Sequence, residues 1–118
     1  MNVLLLDADK EERAMLKENL SKKGFAVTEG EGGLDMLEDT SKFKKDLILL
    51  EYNTWRANRG VYRYFGVEKM WTGVPVILIS QKKKFDVFAD RHPIEKDMVI
   101  EKPINITELD AALKPYIS

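Results

Sequence analysis

The sequence predicts a doubly wound α/β sandwich, a five-stranded parallel sheet with helices on both faces in three layers. Three observations lead there. Short apolar runs at residues 3–6, 47–50 and 74–79 read as strands covered on both faces, as in a parallel sheet. Segments carrying helix-capping signals stand between the strands. The connections are short, which favours consecutive right-handed crossovers. At 118 residues a single domain over residues 1–118 is expected, long enough to bury about two thirds of its unfolded surface.

The first strand, residues 3–6, runs straight into a helix. Asp9 with Glu12 three residues later is a capping-box pattern, and Leu16 and Leu20 sit one turn apart. Lys22, Lys23 and Gly24 supply a basic last turn and a C′ glycine. Residues 25–28 form the second strand. Gly30, Gly32 and Gly33 then punctuate the chain before Leu34 and Leu37, a helix of about two turns closed by Thr40 and Ser41. The third strand is 47–50, followed by a polar loop, YNTWRANRG. A helix over 61–70 is expected from Val61, Tyr64, Phe65 and Glu68 at helical spacing, with Trp71 as its last buried anchor. The fourth strand, 74–79, is entered through Pro75, tolerable at a strand's start. Residues 81–92 read less cleanly: Phe85, Phe88 and Ala89 fit one helix face behind Lys82, Lys83 and Lys84, and Pro93 ends anything helical. Residues 98–100 are the fifth strand. Asn105 with Glu108 opens a last helix striped by Ile106, Leu109, Ala112 and Leu113, fraying near Pro115.

Nineteen basic against 20 acidic residues give a net charge of −1, which offers no overall attraction to nucleic acid or an anionic membrane. Protein or small-ligand partners are expected instead. The absence of cysteine rules out disulfides and thiolate chemistry and suits a reducing compartment. No apolar run approaches the roughly 20 residues of a membrane span. Acids at positions 7, 9, 11 and 12 rule out reading the N-terminus as a signal peptide, so a cytoplasmic location is expected.

In doubly wound sheets functional groups gather at the carboxyl ends of the strands. Asp7 follows the first strand, Glu51 the third, Ser80 the fourth, and Lys102 stands just past the fifth. Carboxylates suit Mg²⁺, while a hydroxyl and an ammonium can receive phosphoryl oxygens. The motifs VLLLDAD, DLILLE, PVILIS and EKPI, in that order over the whole chain, resemble the receiver domain of bacterial two-component response regulators. The resemblance implies a flavodoxin-like fold with strand order 2-1-3-4-5. It implies that a histidine kinase phosphorylates an aspartate at the end of the third strand, helped by Mg²⁺ near an acidic pair after the first. It also implies that the face of the fourth helix, fifth strand and fifth helix then changes shape. By position, Asp7 matches the first acid of the pair, Asn53 a residue whose main-chain carbonyl helps hold the metal, and Ser80 the hydroxyl. Lys102 matches the lysine and Pro103 its partner, preceded in the family by a cis bond.

The departures from the family pattern bear on function. The second acid of the pair is Ala8, and Asp9 substitutes for it only if the loop shifts, against its capping role. The acceptor position is Glu51, whose extra methylene displaces the carboxylate by about 1.5 Å, roughly one backbone bond. Phosphoryl transfer depends on in-line positioning, so that displacement is costly. The switch aromatic of the family is Val99, Thr54-Trp55 replaces the usual Met-Pro, and RHPIEKD replaces a Gly-Ala-Asp turn. Glu51 has two readings, a solvated loop acid or a partner of Lys102 that puts fixed negative charge where a phosphorylated aspartate would carry it. His92 reads as a loop residue, the Lys82 to Lys84 run as a solvated helix start, and at least two of Trp55, Tyr62 and Tyr64 as core.

The resulting expectation is a degenerate receiver, a pseudo-receiver acting through protein–protein contacts and not an enzyme. Its partner would be a histidine kinase, an output domain or another regulator, with a homodimer left open. Asp7 alone implies weak Mg²⁺ binding or none, and no other cofactor. The alternatives are a phosphorylatable or Mg²⁺-binding receiver in a phosphorelay, or a metal-assisted enzyme of the same fold using Asp7, Asp9 and Glu51. A flavodoxin-type ligand site is disfavoured, because Gly30, Gly32 and Gly33 follow the wrong strand for a phosphate cradle.

Overall fold

The computed structural model describes residues 1–33, 45–71, 73–90 and 98–116. Five strands, β1 (Asn2–Leu6), β2 (Ala26–Gly30), β3 (Leu47–Glu51), β4 (Val76–Ser80) and β5 (Met98–Glu101), form one sheet in the order β2-β1-β3-β4-β5. Every neighbouring pair is parallel. The described helices are α1 (Lys10–Lys22), α2 (Tyr52–Ala57), α3 (Arg59–Tyr64), α4 (Lys84–Asp90) and α5 (Ile106–Leu113). This is the flavodoxin-like arrangement that the strand pattern and the resemblance imply.

Alternation along each strand builds a core on each face of the sheet. Val3, Leu5, Leu47, Leu49, Ile77 and Ile79 pack with Leu16 and Leu20 of α1 and Leu109 and Leu113 of α5. Leu4, Leu6, Ile48, Leu50 and Leu78 pack with Tyr52, Trp55, Tyr62 and Val87 on α2, α3 and α4. The central strands β3 and β4 are buried along their whole length, which accounts for their unbroken apolar sequence. None of the described helices is long and apolar enough to cross a membrane.

Several local expectations change. The 52–60 stretch, expected as a loop, is helical. The side chain of Glu51 caps α2, and Asn58 ends α2 and opens α3. The single helix expected over 61–70 is α3 followed by a 3-10 turn, Val67–Trp71, interrupted at Gly66 with φ +63°. Its buried face is Tyr62 and Val67, while Tyr64 is 83% exposed. On α4 the buried residue is Val87, and Phe85, expected on the packed face, is 81% exposed. The fourth strand starts later than expected, at Val76. Val74 N–H turns back to the Trp71 carbonyl, and Pro75, with no N–H to give, accepts from Ile48 N–H. The second strand begins one residue later, because Phe25 N–H closes the end of α1 on the Leu20 carbonyl. Ile106, expected in the α5 stripe, is exposed, and Leu109, Ala112 and Leu113 carry that packing. Trp55, Tyr62 and Trp71 are core residues. The expected helix at Leu34 and Leu37, with Thr40 and Ser41, and the readings of His92 and Pro93 lie outside the described residues.

Candidate functional site at the strand ends

Asp7 leaves the carboxyl end of β1 fully buried, its N–H bonded to the Gly30 carbonyl. Its Oδ1 accepts the Asp9 N–H at 2.9 Å, and its Oδ2 has no hydrogen-bond partner. Burial pushes its carboxyl up to about 8, with the nearby carboxylates of Glu12 and Glu51 adding to the rise and the Asp9 N–H opposing it. Asp9 itself is exposed and caps α1, its Oδ1 accepting from Glu12 N–H at 3.0 Å. Only half of the expected capping box forms: Asp7, not Glu12, takes the Asp9 N–H. That leaves the Glu12 carboxylate for another partner.

The partner is Lys102. Its Nζ lies 3.0 Å from Glu12 Oε1 and 3.3 Å from Glu51 Oε2, with all three side chains largely withdrawn from solvent. Burial works against the lysine's charge. The ion pair with Glu12 and the charge of Glu51 outweigh it and hold its pKa above the ordinary lysine value. The Lys102–Pro103 bond is cis. Lys102 N–H donates to the Ser80 carbonyl, which fixes the start of the β5–α5 connection against the end of β4.

Glu51 is 5% exposed and both of its oxygens are engaged. Oε1 accepts from Thr54 N–H and from Thr54 Oγ1, each at 2.8 Å. Oε2 accepts from Asn53 N–H at 2.9 Å and from Lys102 Nζ. Thr54 Oγ1 in turn accepts Ala8 N–H at 2.9 Å, so the hydroxyl ties the β1–α1 turn to Glu51. Gly32, with φ +89°, passes over the same threonine: a Cβ placed there would stand 2.2 Å from Thr54 Cγ2.

The strand ends thus bring together Asp7, Glu51 and Lys102, with the Asn53 N–H on Glu51. Ser80 is fully buried, and its Oγ accepts Lys82 N–H at 2.9 Å. Val99 is half-buried against the core that includes Leu78 and Val87. Two members of the network, Glu12 and Thr54, escaped the sequence reading. The signal for Thr54 was an acid three residues before a hydroxyl at a helix start, the capping-box spacing with the residue types reversed. For Glu12 the capping-box pattern pointed to the wrong partner.

A magnesium ion demands near-octahedral oxygen donors and keeps several waters. The donor set here fits it poorly: beside Asp7 stands the methyl of Ala8, Asp7 Oδ1 already accepts a backbone N–H, and an ammonium sits between Glu12 and Glu51. Among the described residues no group of three or more His, Cys, Asp or Glu side chains is arranged to hold a metal. Glu51 is instead anchored by four donors, one of them a lysine that it shares with Glu12.

A model of the response regulator receiver domain family matches residues 3–114. The chemotaxis response regulator CheY4 of Vibrio cholerae is similar in structure, with a TM-score of 0.76 at 18% identity over 97% of this chain and 96% of that one. A two-component response regulator from Clostridium difficile has a TM-score of 0.73 at 18% identity, covering 100% of this chain and 99% of its own. The receiver domain of a sensor histidine kinase from Pseudomonas aeruginosa, with a magnesium ion coordinated in its active-site cleft, has a TM-score of 0.70 at 18% identity and covers 98% and 96%. At that identity these likenesses speak for the fold. No curated protein matches the chain in sequence.

Proposed function

The chain belongs to the response regulator receiver domain family, and from that premise we propose that it is a receiver that signals without aspartyl phosphorylation. Receiver domains work in two-component signalling, where they interact with signalling proteins such as kinases. In this one, Glu51 stands at the acceptor position as a permanent anion and holds Lys102 where a phosphorylated aspartate would hold it.

One observation carries the reading: the saturation of the Glu51 carboxylate. To accept a phosphoryl group, a carboxylate oxygen must attack in line, with cationic help for the developing charge. Here each oxygen already holds two donors, and attack by either would strip the cap from α2. The carboxylate is turned back onto its own helix and spent as the cap of α2. The lysine that would neutralise an incoming phosphoryl group is held by two acids. The poor fit of the pocket to Mg²⁺ points the same way.

On this reading residues 1–118 act as one non-enzymatic module with no resident metal. Its output is a contact with a second signalling protein, whether a histidine kinase, an output domain or another regulator. The test is incubation with Mg²⁺ and acetyl phosphate beside an aspartate-bearing receiver as positive control, read by intact mass. No adduct is expected on this chain. A stoichiometric, base-labile phosphoryl group on Glu51 would overturn the proposal.

A further inference from the structure

Away from the strand ends, residues 59–70 put Tyr64, Phe65 and Met70 at the surface, 83%, 45% and 49% exposed. The two rings pack edge to face with centroids 4.9 Å apart. They are not spare core. Tyr62 of the same stretch meets Trp71 edge to face at 6.0 Å, and the core cluster there takes Tyr62, Val67 and Trp71 but not Tyr64, Phe65 or Met70. Large apolar side chains clustered in water are unfavourable unless something covers them.

Charge says what kind of cover fits. Between Tyr52 and Trp71 stand Arg56, Arg59, Arg63 and Lys69 against the single acid Glu68, although the whole chain has 19 basic and 20 acidic residues. The stretch is therefore a basic island on an acidic protein. Arg59 lies over the Trp55 ring and pairs with Asp90 at 3.2 Å. Arg56 and Arg63 are exposed and form no ion pair among the described residues, although the charge of Arg56 is felt by Asp90.

We propose that this surface, built on α3 and the 3-10 turn after it, docks an acidic segment of a partner protein. An apolar side chain of the segment packs on Tyr64, Phe65 and Met70 while its carboxylates meet Arg63 and Arg56. Tyrosine, methionine and arginine are the types enriched in protein interfaces, and tyrosine and arginine concentrate binding energy there. Nucleic acid fits less well, because such binding rests on many phosphate contacts and gains nothing from an exposed methionine. The surface shares no residue with the Glu51 network, so the proposal stands apart from the phosphorylation reading.

The test is selection from a phage-displayed library of random peptides, followed by fluorescence anisotropy with the selected peptides. Expected are sequences rich in Asp and Glu around an aromatic or aliphatic anchor, with affinity that falls as salt rises. Arg63→Glu and the double change Tyr64→Ala, Phe65→Ala should each weaken binding about tenfold or more. Lys22→Glu, the same charge change on an exposed lysine of α1, should leave binding unaltered. Circular dichroism checks folding, and the single surface change at Arg63 decides the matter if the double variant unfolds. The proposal fails if no peptide is selected, if those selected lack net negative charge, or if the surface variants bind like wild type. It also fails if single-stranded DNA competes through these residues, or if sedimentation shows that they join two copies of this chain.

Discussion

At the scale of single residues, one methylene separates Glu51 from an aspartate, and its carboxylate is committed on both oxygens. Folded back, it caps α2 and still reaches Lys102. Asp7 is the opposite case, a carboxyl with one oxygen bonded and one orphaned, held in a place where ionisation is unfavourable. Its value rises from 3.8 to about 8 on folding. A raised acid means the folded state binds the proton more tightly. The associated stability is therefore full below the unfolded value and is lost as pH climbs from 3.8 through 8. Asp7→Asn keeps the acceptor for Asp9 N–H and cannot ionise. Urea unfolding should show a flatter pH profile for that variant, and above pH 8 it should be more stable than wild type by on the order of 1–2 kcal/mol. A wild-type profile that does not decline over this window would contradict the assignment. The placement of Asp7, Glu51 and Lys102 was legible in the sequence because strand ends in a parallel sheet converge. The loss of Glu12 from the capping box was not, because its competing partner lies 90 residues on.

At the scale of elements, the misread stretch is the informative one. Residues 52–60 look like a loop because they lack a helical apolar stripe, and their first donors are capped by an acid already assigned to the site. The structure makes one side chain serve both purposes. Helix α2 is then joined to α4 by a hydrogen bond from the Tyr52 hydroxyl to Asp90, which Arg59 of α3 also pairs. Burial first, and then the Asp90 carboxylate, push the Tyr52 hydroxyl up to about 12, so it remains a donor at any working pH. The chain following β2 presses on the site from the other side at Gly32. Gly32→Ala would set a Cβ against Thr54 Cγ2 and strain a positive φ. It should cost roughly 2 kcal/mol or more in chemical denaturation, and amide exchange at Asn53 and Thr54 should speed up as the Glu51 cap loosens. Unchanged exchange at those two amides would argue that Gly32 does not support the cap.

At the scale of the whole molecule, two sheet faces with separate cores hold five parallel strands with their carboxyl ends on the same side, so groups far apart in sequence meet there. The framework is that of a receiver, and the pocket differs from the family pattern at Ala8 and Glu51. On the proposed reading, giving position 8 an acid and position 51 the shorter aspartate should restore the family's chemistry in part. Ala8→Asp with Glu51→Asp should show a melting temperature that rises with added Mg²⁺, as a ligand of the folded state requires, while the wild type stays unshifted. An equal rise in both proteins would mean that the native pocket already holds the ion. The sequence by itself determined the strand order in the chain, the alternation of layers and the position of each acid, hydroxyl and lysine at a strand end. Burial periodicity is a local property, and the spacing of apolar residues along the chain records it directly. Only the tertiary structure decided that Lys102 is shared by Glu12 and Glu51, that Thr54 bridges Glu51 to Ala8, and that Tyr64 faces water while Tyr62 does not. Those outcomes depend on which elements pack against one another and how closely, and that competition among distant partners is settled only in three dimensions.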